Sequence, residues 1–170
     1  VSDFLRALPV ILRNEGGLVD DPADRGGRTN KGITQRTYDA WLTSHGLPSV
    51  RVDEITDEQA GAIYLGAYWT PASCDQMPWP LSLIHFDAAV NVGPHEAAKL
   101  LQRALGVAVD GDIGPLTLSR CRAAGPRDCY KYLLERAFQY RRIASAYPTQ
   151  QKFLAGGWLL RLERLYAEVT

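Results

Sequence analysis

Glu15 is the side chain in this sequence best placed to do chemistry. It closes a short apolar helical run, and Gly16-Gly17 directly behind it end the helix and leave one side of the carboxylate clear. A helix C-terminus carries partial negative charge, so a choice made for stability alone would put Lys or Arg there. Nine residues on, Asp24 precedes Arg25-Gly26-Gly27, a run that lets a loop double back and hold a second carboxylate opposite the helix end. Two carboxyl groups facing each other suit acid-assisted cleavage of a glycosidic bond. One protonates the leaving oxygen, and the other handles the sugar cation or positions water.

The acid in such a pair must keep its proton. The field at a helix end is worth only about 0.3–1 kcal/mol, so burial against apolar neighbours has to supply the rest for Glu15. Asp20 and Asp21 are reserves for Asp24. Thr29 and Thr34 have hydroxyls suited to orienting water or sugar, although Thr34 also reads as an ordinary helix cap.

These residues need elements to position them. Asp3 caps a first helix with apolar positions Phe4, Leu8, Ile11 and Leu12, interrupted by Pro9. Leu18 to Lys31 reads as a polar loop or short irregular hairpin turning near Asp21-Pro22 and Gly26-Gly27, the one strand-like stretch of the chain. Ile33-Thr34 opens a helix that carries Tyr38, Trp41 and Leu42 and ends at Gly46. Thr56 with Gln59 forms a capping box for the next, whose face is Ala60, Ile63, Tyr64 and Ala67.

Leu81 to Val92 is apolar nearly all round and belongs in the middle of a core. Gly93-Pro94 starts a further helix, Val107–Thr117 is a tight loop feeding a short helix from Pro115, and a long helix runs from Arg127 to about Tyr147. The last helix carries Trp158, Leu162 and Leu165, with a break near Gly156-Gly157. The expected class is mostly α, with about seven helices and one short hairpin or loop after the first. All 170 residues form one domain, with an N-terminal lobe over about 1–75 and a helical lobe over about 80–170.

Composition narrows the functions. Nineteen basic residues balance nineteen acidic ones, so net charge calls for no nucleic acid and no anionic membrane. Leu5 to Leu12 is too short for a membrane span or a signal peptide, and synthesis in the cytoplasm is the expectation. A monomer is expected. Cys74, Cys121 and Cys129 lack metal or redox spacing and read as inert buried thiols, with a Cys121–Cys129 bridge across Gly125-Pro126 the one pairing left open. The scattered histidines and Asp110-Gly111-Asp112 match no metal site, so no cofactor or metal is expected.

Sugar faces stack on aromatic rings. Tyr68-Trp69 before Pro71, and Trp79 between two prolines, lie at helix ends and are candidates for a cleft wall, whereas Trp41 and Tyr64 sit on apolar helical faces. The Asn91 amide is a further sugar contact, with a C-terminal helix cap as its ordinary role.

Glu15-Gly16-Gly17-Leu18 followed by Asp24-Arg25-Gly26-Gly27-Arg28-Thr29-Asn30-Lys31-Gly32-Ile33-Thr34 resembles the N-terminal signature of the glycoside hydrolase family 108 muramidases, lysozyme-like proteins that include phage endolysins. Phe86–Gly93 and Val109–Thr117 resemble the C-terminal part described in that family as a peptidoglycan-binding region. The resemblance implies a lysozyme-like fold, bacterial peptidoglycan as partner, cleavage between N-acetylmuramic acid and N-acetylglucosamine, and Glu15 as acid. Leu18 departs from the aromatic common in the family. If Glu15 works alone, a lytic transglycosylase outcome follows. A chitinase-like enzyme and a non-catalytic peptidoglycan-binding or phage-tail module are the other readings. A wall hydrolase of this kind acts in the periplasm after phage-mediated release or secretion.

Overall fold

In the computed structural model, which describes residues 2–15 and 28–169, the first helix α1 spans Asp3–Glu15 and buries Phe4, Ala7, Val10 and Ile11 along one face. Pro9 is accommodated on its exposed side. Strands β1 (Thr29–Asn30) and β2 (Ile33–Thr34) pair antiparallel, Thr29 opposite Thr34 and Asn30 opposite Ile33. The hairpin therefore turns at Lys31-Gly32. Ile33 and Thr34, expected to open a helix, form its second strand, while the expected turns at Asp21-Pro22 and Gly26-Gly27 lie outside the described residues.

Thr34 both ends β2 and caps helix α2 (Gln35–Ser44), its hydroxyl accepting from the Thr37 N–H at 3.2 Å. A 3-10 turn at Val52–Glu54 follows, and helix α3 (Asp57–Tyr64) begins with the expected Thr56/Gln59 capping box. Polar side chains tie the turn to the hairpin. Gln35 accepts from the Val52 N–H at 2.7 Å and donates to the Val50 carbonyl at 2.9 Å, and Asn30 donates to the Val52 carbonyl at 3.2 Å. These elements belong to one compact unit, Val1–Ala67; the second is Tyr68–Thr170. The fold is mostly α and lysozyme-like.

In the second unit helix α4 (Leu81–Val92) is the centre of the core, buried from Leu81 through Ala89. Helices α5 (Pro94–Leu105), α6 (Pro115–Arg122) and α7 (Pro126–Ala146) each start with proline directly after glycine, at Gly93, Gly114 and Gly125. Proline suits the first helical position because its missing N–H has no intrahelical partner there. α5 packs on α4 and α7. The chain closes with helix α8 (Gln151–Phe153), a π-turn at Leu154–Trp158 where a break was expected, and helix α9 (Leu159–Ala167), which packs on α7. The three cysteines are buried and free, so Cys121 and Cys129 do not pair. No helix among the described residues is long and apolar enough to cross a membrane.

The core of this unit holds charge. Asp87 accepts from Arg136 Nη2 at 2.7 Å and from Arg161 Nε at 3.0 and 2.9 Å, all three side chains being buried. Burial opposes ionisation of Asp87, but the two guanidinium groups overcome it and hold its carboxyl below the usual range.

His85 sits nearby on the same helix, its Nδ1 2.7 Å from the Tyr132 hydroxyl. That hydroxyl donates its one proton to the Ala97 carbonyl at 3.0 Å, so His85 Nδ1 is the donor to it. Burial pushes the His85 pKa down to about 3, with the Ala72 backbone pulling weakly the other way. The unfolded chain takes up this proton near pH 6.5 and the folded one only near 3. Stability should thus be full above about pH 6.5 and fall by about 1.4 kcal/mol per pH unit on acidification towards pH 4. Urea titrations at pH 7, 6, 5 and 4 check this. The slope should flatten in His85→Gln, and an equal slope in that variant would remove His85 as its cause.

Candidate active site

Glu15 is the last residue of α1 and is half-buried, with its Oε1 shielded from solvent. The Lys31-Gly32 turn closes one side of it. Both turn residues have positive φ, 50° for Lys31 and 73° for Gly32, as a two-residue hairpin of the I′ kind requires. A Cβ placed on Gly32 would lie 2.8 Å from Glu15 Cβ, 3.0 Å from Glu15 Cγ and 2.5 Å from the Tyr64 hydroxyl oxygen. The stem of the glutamate therefore rests on bare backbone, and only glycine permits that approach.

Two further contacts hold the turn. The Tyr64 hydroxyl donates to the Lys31 carbonyl at 2.8 Å. Lys31 Nζ reaches the Ile55 carbonyl at 3.2 Å and the Asp57 carboxylate at 2.5 Å. A left-handed conformation costs a non-glycine residue roughly 1–2 kcal/mol, and these contacts offset it for Lys31. On the strand side, Asp53 pairs with Arg28 at 3.3 Å and Arg51 at 2.6 Å, and the Gln35 N–H extends the hairpin by donating to the Arg28 carbonyl at 2.9 Å. α3 thus fixes the hairpin, and the hairpin fixes the lateral position of Glu15.

Gly32→Ala should displace the Glu15 stem, lower stability by about 2–4 kcal/mol through overpacking and left-handed strain together, and abolish hydrolysis. Gly46→Ala is the control. Gly46 also has positive φ, 66°, but nothing lies within 4 Å of an added Cβ, so only the strain should register, about 1–2 kcal/mol, with hydrolysis kept. Urea melts and clearing of a wall suspension read both.

The other sequence candidates fall in different settings. Asp24, with Asp20 and Asp21, lies outside the described residues. Thr29 is half-buried on β1 opposite Thr34, in the same hairpin that abuts Glu15. The Thr34 hydroxyl serves as the α2 cap and lies 2.9 Å from the Thr37 hydroxyl. Tyr68 is half-buried in a π-turn spanning Leu65–Trp69. Trp69 is 4% exposed and packs edge-on against Phe86 at 5.2 Å, so it is a core ring rather than part of an open sugar platform. Asn91 accepts from the Tyr140 hydroxyl at 2.8 Å, and Tyr140 in turn accepts from Arg136 at 3.1 Å. Its helix is capped by Gly93, so Asn91 extends the polar group around Asp87 and is not a cap. Among the described residues no three His, Cys, Asp or Glu side chains converge to hold a metal.

Sequence reasoning missed the hold that Lys31, Gly32 and Tyr64 have on Glu15. The signals were a glycine in a two-residue turn and a tyrosine, rather than phenylalanine, closing the α3 face.

The chain joins a helical, lysozyme-like fold to a glutamate that ends its first helix beside a short hairpin, and its family match makes it a glycoside hydrolase. Residues 8–93 match the family described as glycosyl hydrolase 108, and residues 96–163 match one described as a "Predicted Peptidoglycan domain". The chain belongs to the glycosyl hydrolase 108 family. It is similar to the solved structure described as "Structure of Brucella abortus SagA", at 32% identity over 98% of this chain and 93% of that one, with a TM-score of 0.76. No curated protein matches. The two family matches point to peptidoglycan as the polymer that the protein binds.

Proposed function

We propose that the protein is an N-acetylmuramidase that cleaves peptidoglycan between N-acetylmuramic acid and N-acetylglucosamine, with Glu15 as general acid. The observation that carries this reading is the setting of Glu15: a half-buried carboxyl at a helix end, one oxygen shielded, its stem braced by a turn that only glycine can form. Protonation of a glycosidic oxygen needs an acid that is held in place and partly withdrawn from water.

Asp24 is assigned the second carboxylate role, activating water or stabilising the sugar cation. Thr29, half-buried on the hairpin that abuts Glu15, is assigned a substrate-binding role. The substrate lies in the cell wall, so the protein acts in the periplasm, whether it arrives by phage-mediated lysis or by secretion.

Mass spectrometry of peptidoglycan digests tests the assignment. A muramidase leaves reducing N-acetylmuramic acid ends that have gained water. Anhydro ends would replace this reading with a lytic transglycosylase, and reducing N-acetylglucosamine ends with a glucosaminidase.

A further inference from the structure

The second unit carries a groove that the glycosidase chemistry does not use. It has a volume of about 640 Å³ and is walled by the loop between α5 and α6 together with the first turns of α6. We propose that this groove binds the peptide stem of peptidoglycan, taking the zwitterionic diamino acid of the stem, and does not bind the glycan strand. The proposal rests on peptidoglycan being the polymer, and names which part of it this unit grips.

The loop is built rigid. The Gln102 side chain, buried on α5, stands in for a peptide group. Its Nε2 donates to Asp110 Oδ1 at 2.6 Å and to the Asp112 carbonyl at 2.9 Å, and its Oε1 accepts from the N–H groups of Asp110 at 3.1 Å and Gly111 at 2.9 Å. Asp110 Oδ1 also accepts from the Asp112 N–H at 2.9 Å. The Asp112 N–H and the Gln102 amide hold the Asp110 carboxyl below the usual range, so it stays ionised at neutral pH. A groove fixed in this way loses little freedom when a ligand enters.

Its lining selects the ligand. Asp110 and Asp112 supply carboxylates, and Arg120 supplies a guanidinium held in place by Asp128 at 3.0 Å. Apolar surface comes from Val107, Ala108 and Leu116. Leu116 is 84% exposed, the most exposed of the large apolar side chains among the described residues. Among the described residues no aromatic ring lines the groove. Sugar faces are gripped by aromatic stacking, and an N-acetylated glycan strand freed of its peptides carries lactyl carboxylates but offers no ammonium to a carboxylate. The stem offers both in its diamino acid, with small methyl side chains beside them. The match to a peptidoglycan domain over residues 96–163 spans the whole groove.

The experiment uses the full chain carrying Glu15→Gln, so that no substrate is consumed. Calorimetry measures binding of a soluble stem tetrapeptide with a free side-chain ammonium, of the same peptide acetylated there, and of peptide-free glycan strands. The free peptide should bind, and acetylation should weaken it at least fivefold. Asp112→Asn and Leu116→Ser, both at exposed positions, should each weaken it about as much while urea melts stay unchanged. Peptide-free strands binding as well as the peptide, or affinity for the peptide unmoved by acetylation and by both substitutions, would overturn the proposal. Digestion by the protein without Glu15→Gln is scored separately. Its failure removes the muramidase reading and leaves the peptide measurement standing.

Discussion

Glu15→Gln should fold like the wild type and clear a peptidoglycan suspension about 10²–10⁴-fold more slowly, the range general acid catalysis contributes. The amide keeps the Cβ and Cγ atoms that rest on Gly32 and replaces one carboxyl oxygen with an NH2 group that cannot serve as the acid. Loss of activity with unchanged urea melts therefore assigns the defect to chemistry and not to packing. The rival reading, a non-catalytic wall-binding module, expects no clearing by either protein and equal binding by both. A well-folded variant that clears at the wild-type rate would sink the assignment of Glu15. Asp24→Asn should fall in the same activity range, and the pair of variants separates an enzyme with two working carboxylates from one that relies on Glu15 alone.

The second large effect is on stability. Asp87→Ala should cost about 3–5 kcal/mol, the range for removing one partner of a buried ion pair. Asp87 is the carboxylate shared by Arg136 and Arg161, and its loss takes away the negative charge that both buried guanidinium groups hold in common. Asp87→Asn should recover little, because the shape is kept and the charge is not. Replacing Asp87, Arg136 and Arg161 together by apolar residues of similar volume should recover most of the stability, since desolvation of all three charges is then avoided. Urea unfolding of the four proteins measures this. Equal stability of Asp87→Ala and wild type would show that the network contributes nothing. Because the folded Asp87 carboxyl lies below its unfolded value, its contribution is present above about pH 4 and is lost as pH falls below that.

What could be read from the sequence was local. The Thr56/Gln59 capping box, the proline starts at Pro94 and Pro115, and the all-round apolar character of Leu81–Val92 each depend on residues within one turn or one helix, and each stands in the structure as expected. The hairpin was harder. Its strands are two residues long, too short for alternation to register, and β2 runs straight into α2, so Ile33-Thr34 carried helix-start signals that are also correct. Aromatic roles failed to separate because a tryptophan beside a proline has the same sequence signature on a cleft wall and in a core. Only the partner, Phe86, shows that Trp69 belongs to the core. Asn91 and Tyr64 were illegible for a related reason. Their partners lie 49 and 33 positions away, at Tyr140 and Lys31, and no spacing rule reaches that far.

The three Gly-Pro starts at α5, α6 and α7 bear on how such a protein tolerates change. A helix presents its faces by counting residues from its first turn, so an extra residue upstream would ordinarily rotate every side chain that follows. Here each helix resets that count at its own proline. An insertion or deletion in the loop after α5, where the groove lies, is absorbed before Pro115, and Cys121 keeps facing inward whatever the loop length. The part of the unit that must pack is thereby insulated from the part that meets ligand: a change of loop length would break the Gln102 contacts that shape the groove while the helical scaffold stays in phase.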